Sequence, residues 1–297
     1  TLSEHIIMDN PMALAQGQQA DAKTNRTYGS VYGEYFLMPG FSAKVKIGGN
    51  MTNSRREVWI DPITIAAQPF GGIATIINSS RSNILGEFTF NYNKDFGDHR
   101  ISAVVGTTYE EFNQFNNDGR GSGFLYPDLT VNGIGSGVDS LQYVGSSRTQ
   151  YKLNSYLGRV NYSLLDKYLL TLSARLDGSS RFGDNNKYGF FPSAAVAWKI
   201  HQEEFLMENT LLSQLKLRAS YGIIGNQDIG NYRYVTSFSI PGGRPAYLGG
   251  AFNPIIEPSR AANPDLRWES SRQLDVGFDF GLFNDRLQGS IEYYERN

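Results

Sequence analysis

Cysteine is absent from the 297 residues, which removes disulfides, thiolate metal sites and cysteine nucleophiles together. Methionine is scarce, at 5, and histidine scarcer, at 3. The three histidines, His5, His99 and His201, are far apart in sequence, and we read them as surface or interfacial side chains rather than metal ligands. Excess charge of either sign is missing, since the formal net charge is -2, so nothing points to a nucleic-acid partner or an acidic substrate. No apolar run approaches the roughly 20 residues that a membrane helix needs. A membrane role would then require the other permitted solution, a closed β-barrel. A leader of basic residues followed by an apolar stretch is not seen at Thr1-Leu2-Ser3-Glu4. Nucleophile elbows, phosphate loops and metal helices are also missing, so no catalytic residue and no cofactor is expected. Gly133 to Gly137 lacks the strand-to-helix setting of a nucleotide site, and the spacing of Asp177 and Asp184 alone does not make a glycosidase pair.

Aromatic residues and glycine are plentiful instead: 18 Tyr, 18 Phe, 3 Trp and 32 Gly. The dominant period is two. Tyr168, Leu170, Leu172, Ala174 and Leu176 fall on one face of a strand, and Thr171, Ser173, Arg175 and Asp177 on the other. Tyr156 to Leu164 repeats the pattern, and the tight turn Leu165-Asp166-Lys167 joins the two as a hairpin. The same alternation recurs at Phe88 to Tyr92, Leu215 to Ile223, Leu274 to Phe280 and Leu287 to Tyr293. These strands run to about ten residues, whereas soluble strands average about five or six and tilted membrane strands need roughly 9–11.

The pattern predicts strands near 28–37, 41–51, 82–94, 99–112, 150–163, 168–178, 189–200, 214–224, 268–281 and 286–297. Connections 38–40, 95–98, 164–167 and 282–285 are tight, and 201–213 is longer, with room for a short helix at Gln202 to Leu206. The alternate connections are 52–81, 113–149, 179–188 and 225–267, three of them long. Strict alternation of short turns and long loops is the habit of outer-membrane barrels, and it assigns the second set to the outside. Tyr232 to Ile240 looks strand-like, but one more crossing would reverse every later loop, so we place it within the 225–267 loop. Gly119 to Gly137 reads as flexible loop. About ten strands do not make a good barrel of this kind, so a piece of a larger one is expected. The fold class is therefore all-β, an antiparallel transmembrane β-barrel portion.

Several motifs sharpen this. They are Asp177-Gly178-Ser179-Ser180-Arg181-Phe182-Gly183, Tyr92 to His99, Phe191-Pro192-Ser193 running to Trp198, Leu215 to Gly222 followed by Gly225-Asn226-Gln227, Asn263 to Glu269, and Asp279 to Leu287. Through them the chain resembles the SusC/RagA family of TonB-linked outer-membrane proteins of Bacteroidetes, strongly from about Ser82 to Asn297 and weakly before. The resemblance implies that residues 1–297 are part of a TonB-dependent receptor β-barrel domain of about twenty-two strands. It implies an N-terminal plug, a TonB-contacting segment and further C-terminal strands, none of which we find in these residues. It implies a SusD-like surface lipoprotein as a lid, the TonB complex as energy source, and import of oligosaccharides or peptides across an outer membrane. Two other readings stay open here: a passive porin or structural barrel, and a soluble carbohydrate-binding β-sheet protein.

Arg159, Arg175, Asp177, Lys216, Arg218, Asp275, Asp279 and Glu292 all fall on the predicted inner face. That face is wet or packs on a plug. Mutual ion pairing is one role for these charges. A sharper one is that Arg175, Lys216 and Arg218 hold the plug or line the substrate path. Tyr168, Trp198 and Tyr293 near strand ends fit an interfacial girdle. The loop aromatics Tyr126, Phe252 and Trp268 are candidates to stack on a sugar ring or a peptide, or to pack the loops internally.

Overall fold

Strands placed between lipid and water must satisfy every backbone group by pairing with neighbours, and pairing dominates this chain. The computed structural model describes residues 10–206, 209, 211–239, 246–253 and 255–297. His5 and Ile240, both named above, lie outside the described residues. A short helix α1 (Pro11–Gly17) opens the described chain. Its N-cap Asn10 accepts from the Met12 amide at 3.0 Å, with Pro11 in the first turn.

The strands are β1 (Gln18–Met38), β2 (Phe41–Ile60), β3 (Ile73–Phe96), β4 (His99–Ser122), β5 (Tyr143–Leu164), β6 (Tyr168–Ser179), β7 (Tyr188–Lys199) and β8 (Leu212–Asn226). Four short strands follow, β9 (Ser237–Ser239), β10 (Ala246–Leu248), β11 (Ala251–Asn253) and β12 (Glu257–Arg260). Then come β13 (Glu269–Leu282) and β14 (Leu287–Arg296). Ten of them form one sheet in the order β1-β2-β3-β4-β5-β6-β7-β8-β13-β14, a meander in which sequence neighbours pair. The remaining four make two small ribbons, β9 with β12 and β10 with β11, inside the connection after β8. The exclusion of Tyr232 to Ile240 from the membrane crossings therefore holds for its described part, of which only Ser237–Ser239 is strand.

The chain divides into two compact units. One comprises residues 1–30, 48–84 and 112–150, and the other residues 31–47, 85–111 and 151–297. The second contains the membrane-type wall. Its register is regular: Gly158 pairs with Ala174 and Ala174 with Pro192, while Leu172 pairs with both Val160 and Ala194. One face of this sheet is apolar and open, with Tyr156, Val160, Leu172, Phe190, Val196, Leu217, Tyr221 and Ile291 all exposed. In water such a face would be an aggregation surface; against lipid chains it is the required one. The tight turns are also as expected. Pro39-Gly40 turns with Gly40 at φ 81°, a left-handed position that favours glycine. Leu165 and Asp166 both take positive φ in the β5–β6 hairpin.

The first unit has its own small core. Trp59 and Ala74 are fully covered and pack with Phe124, Val131 and Ile134. The Trp59 and Phe124 rings meet edge to face at 5.4 Å. Gly72, at φ 110°, lets the chain pass against the Trp59 ring where any side chain would collide.

Three expectations change here. The predicted loops 52–81 and 113–149 shrink to connections 61–72 and 123–142, because β2, β3, β4 and β5 extend well past the membrane length. Gly119 to Gly137 is not loose: it ends β4 and continues into a short helical segment, Pro127–Ser136. The single short helix expected at Gln202 to Leu206 is two 3-10 turns, Ile200–Gln202 and Glu204–Leu206.

Candidate functional site: the charged inner face and the loop latch

The polar positions of β6, β8, β13 and β14 face away from the lipid side, where charges are tolerated only if hydrated or paired. Asp279 stands opposite Lys216 in the register, and Gly277 stands between Arg218 on one side and Glu292 on the other. Arg218 crosses the glycine. Its Nε donates to Asp279 at 3.3 Å, and its terminal nitrogen pairs with Glu292. Lys216 is 3.9 Å from the same Asp279. Further along, Asp275 accepts from Ser220 at 3.3 Å and from Gln273 at 3.1 Å. Arg175 belongs to a separate group. Its Nε donates to Asp177 at 2.5 Å and its terminal nitrogen to the covered Ser155 hydroxyl at 2.9 Å. Lys216 and Arg218 thus share a partner, while Arg175 has its own.

The motif Asp177 to Gly183 closes the C-terminal end of β6 as a latch. Phe182, 1% exposed, stacks on Trp268 with centroids 5.1 Å apart, and Phe191 meets Trp268 edge-on at 5.3 Å. The Trp268 indole N–H donates to the Lys187 carbonyl at 3.1 Å. Arg181 lies over the Tyr151 ring at 4.3 Å and donates to Asp228 at 2.8 Å and to the Gln227 carbonyl at 3.0 Å. Nearby, a salt bridge from Lys187 to Asp184, 2.6 Å, holds the Asp184 carboxyl below its usual range, chiefly through the hydrogen bond.

Among the loop aromatics, Trp268 is half-buried in this latch. Phe252 is exposed on the β10–β11 ribbon, in edge contact with Tyr247 at 5.1 Å. Tyr126 is exposed in the first unit.

At the other end of the wall, Tyr168 stacks on Trp198. The Tyr168 hydroxyl donates to Glu203 at 2.7 Å, the Trp198 indole N–H at 2.9 Å, and Lys167 approaches at 3.3 Å. Glu203 escaped the sequence reading, although a carboxylate in a short turn beside two girdle aromatics was there to be noticed. His99 hydrogen-bonds Tyr162 at 2.6 Å and stacks on its ring, and His201 hydrogen-bonds the Leu215 carbonyl at 3.0 Å. Among the described residues no group of three or more potential metal ligands comes together.

Long paired strands, an apolar outer face, a charged inner face and aromatic pairs at the strand ends together define a stretch of transmembrane β-barrel wall. Residues 13–297 match the family described as TonB dependent receptor-like, beta-barrel. TonB-dependent receptor P3 of Formosa agariphila is 34% identical over 97% of this chain and 28% of its own length. TonB-dependent receptor SusC of Bacteroides thetaiotaomicron is 31% identical over 97% of this chain and 28% of its own. The RagAB peptide transporter structure superposes with a TM-score of 0.84 at 26% identity, covering 95% of this chain and 31% of that one. The siderophore receptor PiuA of Acinetobacter baumannii, at 11% identity and a TM-score of 0.51, shares the fold. The chain belongs to the TonB dependent receptor-like β-barrel family, a family of outer-membrane proteins, and within it is similar to the SusC and RagAB proteins above. It spans under a third of the length of the curated relatives it matches.

Proposed function

We propose that this chain forms part of the barrel wall of an active importer of oligosaccharides or peptides, driven through TonB and covered by a SusD-like surface lipoprotein. The match over residues 13–297 carries the reading. The RagAB neighbour, described as a peptide transporter, favours a two-protein importer and keeps peptides among the cargo classes. In this reading Arg218, Lys216 and Arg175 line the interior, and their paired carboxylates keep the wall near neutral while leaving donors for a plug or cargo. Phe252 and Tyr126, both exposed, are the loop aromatics placed to meet cargo or lid, while Trp268 serves the latch.

The test is growth and uptake by a strain lacking the complete gene, on defined oligosaccharides and on defined peptides as sole nutrient. A defect on one class that a TonB-defective strain reproduces supports the reading and names the cargo. Uptake of that nutrient that persists without TonB would assign a passive pore instead.

A further inference from the structure

The first unit carries a groove of about 400 Å³ that the transport reading does not use. Two cations, Lys23 and Arg55, line it, with the carboxamides of Asn25, Asn53, Asn78 and Asn117. Phe115 forms part of its wall, and the Arg148 guanidinium lies over that ring at 5.6 Å, adding a third cation. Arg55 is paired with Glu57 at 2.5 Å but stays more than half exposed, with guanidinium donors to spare.

Which side of the sheet the groove faces follows from alternation. Ser79 donates to Asn116 at 2.7 Å and Arg81 to Gln114 at 3.2 Å, so these four share one face. Asn78, Phe115 and Asn117 occupy the alternate positions and hence the opposite face. Asn53 and Arg55 follow Met51 at two-residue steps along β2, and Asn78 lies six residues from Ile84 along β3. Met51 and Ile84 are both exposed. Along β2 that face passes from the exposed Met51 to Asn53 and Arg55, and along β3 from the exposed Ile84 to Ser82, Ser80 and Asn78. That is the profile of a wall crossing from acyl chains into headgroups, with cations at headgroup level. Cargo on the inner side would not meet it.

We infer that this groove is a binding site for the phosphorylated sugar headgroup of an outer-leaflet glycolipid, whose acyl chains lie along the Met51 and Ile84 side. Lys23, Arg55 and Arg148 supply charge for phosphate. Asparagine amides, which both donate and accept, suit sugar hydroxyls, and the Phe115 ring offers an apolar surface for a sugar face. The inference rests on the barrel-wall assignment but not on the cargo.

The experiment uses the full-length protein in nanodiscs, titrated with phosphorylated lipid A. Arms with its dephosphorylated form and with the deacylated phosphorylated sugar run in parallel. Each of Lys23→Gln, Arg55→Gln and Arg148→Gln is expected to weaken lipid A binding about fivefold, and the triple variant on the order of a hundredfold. Dephosphorylation should weaken it comparably. Heat-modifiable migration on gels reports that each variant is folded, and Lys23→Arg, which keeps the charge, should bind as the parent does. A folded triple variant with parental affinity would overturn the site. Equal binding of the deacylated sugar would overturn the lipid as its occupant.

Discussion

Arg218 lies in the space that a side chain on Gly277 would fill, with its Cζ only 2.6 Å from where that Cβ would stand. The glycine is what allows one guanidinium to reach Asp279 and Glu292 on two successive strands. Alanine normally suits a strand better than glycine, because glycine loses more backbone entropy on folding. Here the order should reverse. Gly277→Ala must move the flexible end of Arg218 away from Asp279 and Glu292, leaving Asp279 to Lys216 alone, and the loss of such partly exposed ion pairs costs up to about 1 kcal/mol each. Gly86→Ala is the control, since nothing lies within 4 Å of its Cβ position. Refolding titrations into lipid vesicles should show a loss for the first and none for the second. Parity between them would refute the role given to Gly277.

The facing of β6 gives a second test. Leu172 is half-exposed on the apolar side, while Thr171 on the other side donates to Asn161 at 2.9 Å. Leu172→Arg should destabilise the barrel by roughly 2–4 kcal/mol if it lies near the midplane of the bilayer. Thr171→Arg, reaching into a wet interior, should be milder. Equal losses in the same refolding assay would undo the assignment of faces.

Glu203 makes the stability of the short-turn end depend on pH. Its carboxyl lies below its ordinary value of 4.5, first through the Tyr168 hydroxyl and then through the Trp198 indole. A lowered pKa in the folded state means that the stabilisation is complete above the unfolded value and fades as pH falls through the folded one. Stability followed from about pH 7 down to about pH 3 should therefore fall more for the parent than for Glu203→Gln. The quenching of Trp198 by its contacts should relax over the same interval in the parent. A parallel pH dependence in the two proteins would show that Glu203 does not couple girdle to turn.

These elements also mark how far the residues alone could be read. Strands β6, β8 and β13 were legible in phase as well as position, because lipid on one face and water on the other force strict alternation. The same logic fails in the first unit. There, Asn78 and Asn117 alternate with Ser79, Arg81, Asn116 and Gln114, which pair on one face, so polar residues follow one another and the strand period vanishes. The extensions of β2 to β5 accordingly read as loops in the sequence and are strand in the structure. Glycine density misled at Gly119 to Gly137, where Gly121 and Gly123 pack closely against Ile134 and Val138 instead of supplying freedom. Arg175, Lys216 and Arg218 could be placed on the inner face by period, but their partners could not. Arg218 meets Glu292 74 positions away, and only the register brings them together.

Trp268 shows the same limit and supplies the last test. Its residue type suits cargo stacking and loop packing equally, and only the position of Phe182, 86 residues earlier in the chain, separates the two. Phe182 is almost wholly covered, so truncating it opens a cavity beneath the indole. Phe182→Ala should cost about 3–5 kcal/mol by analogy with buried aromatic truncations. The loss should appear first as local opening, because the latch ties the 180–187 segment to the strand that follows the 225–267 connection. Limited proteolysis of the intact protein in outer-membrane vesicles should then cut within 225–267 at protease levels that leave the parent whole. Trp268→Phe keeps the ring contact but drops the hydrogen bond to Lys187, and should fall between the two. If Phe182→Ala resisted cleavage as well as the parent while cargo uptake collapsed, the aromatic cluster would belong to cargo binding and not to loop anchoring.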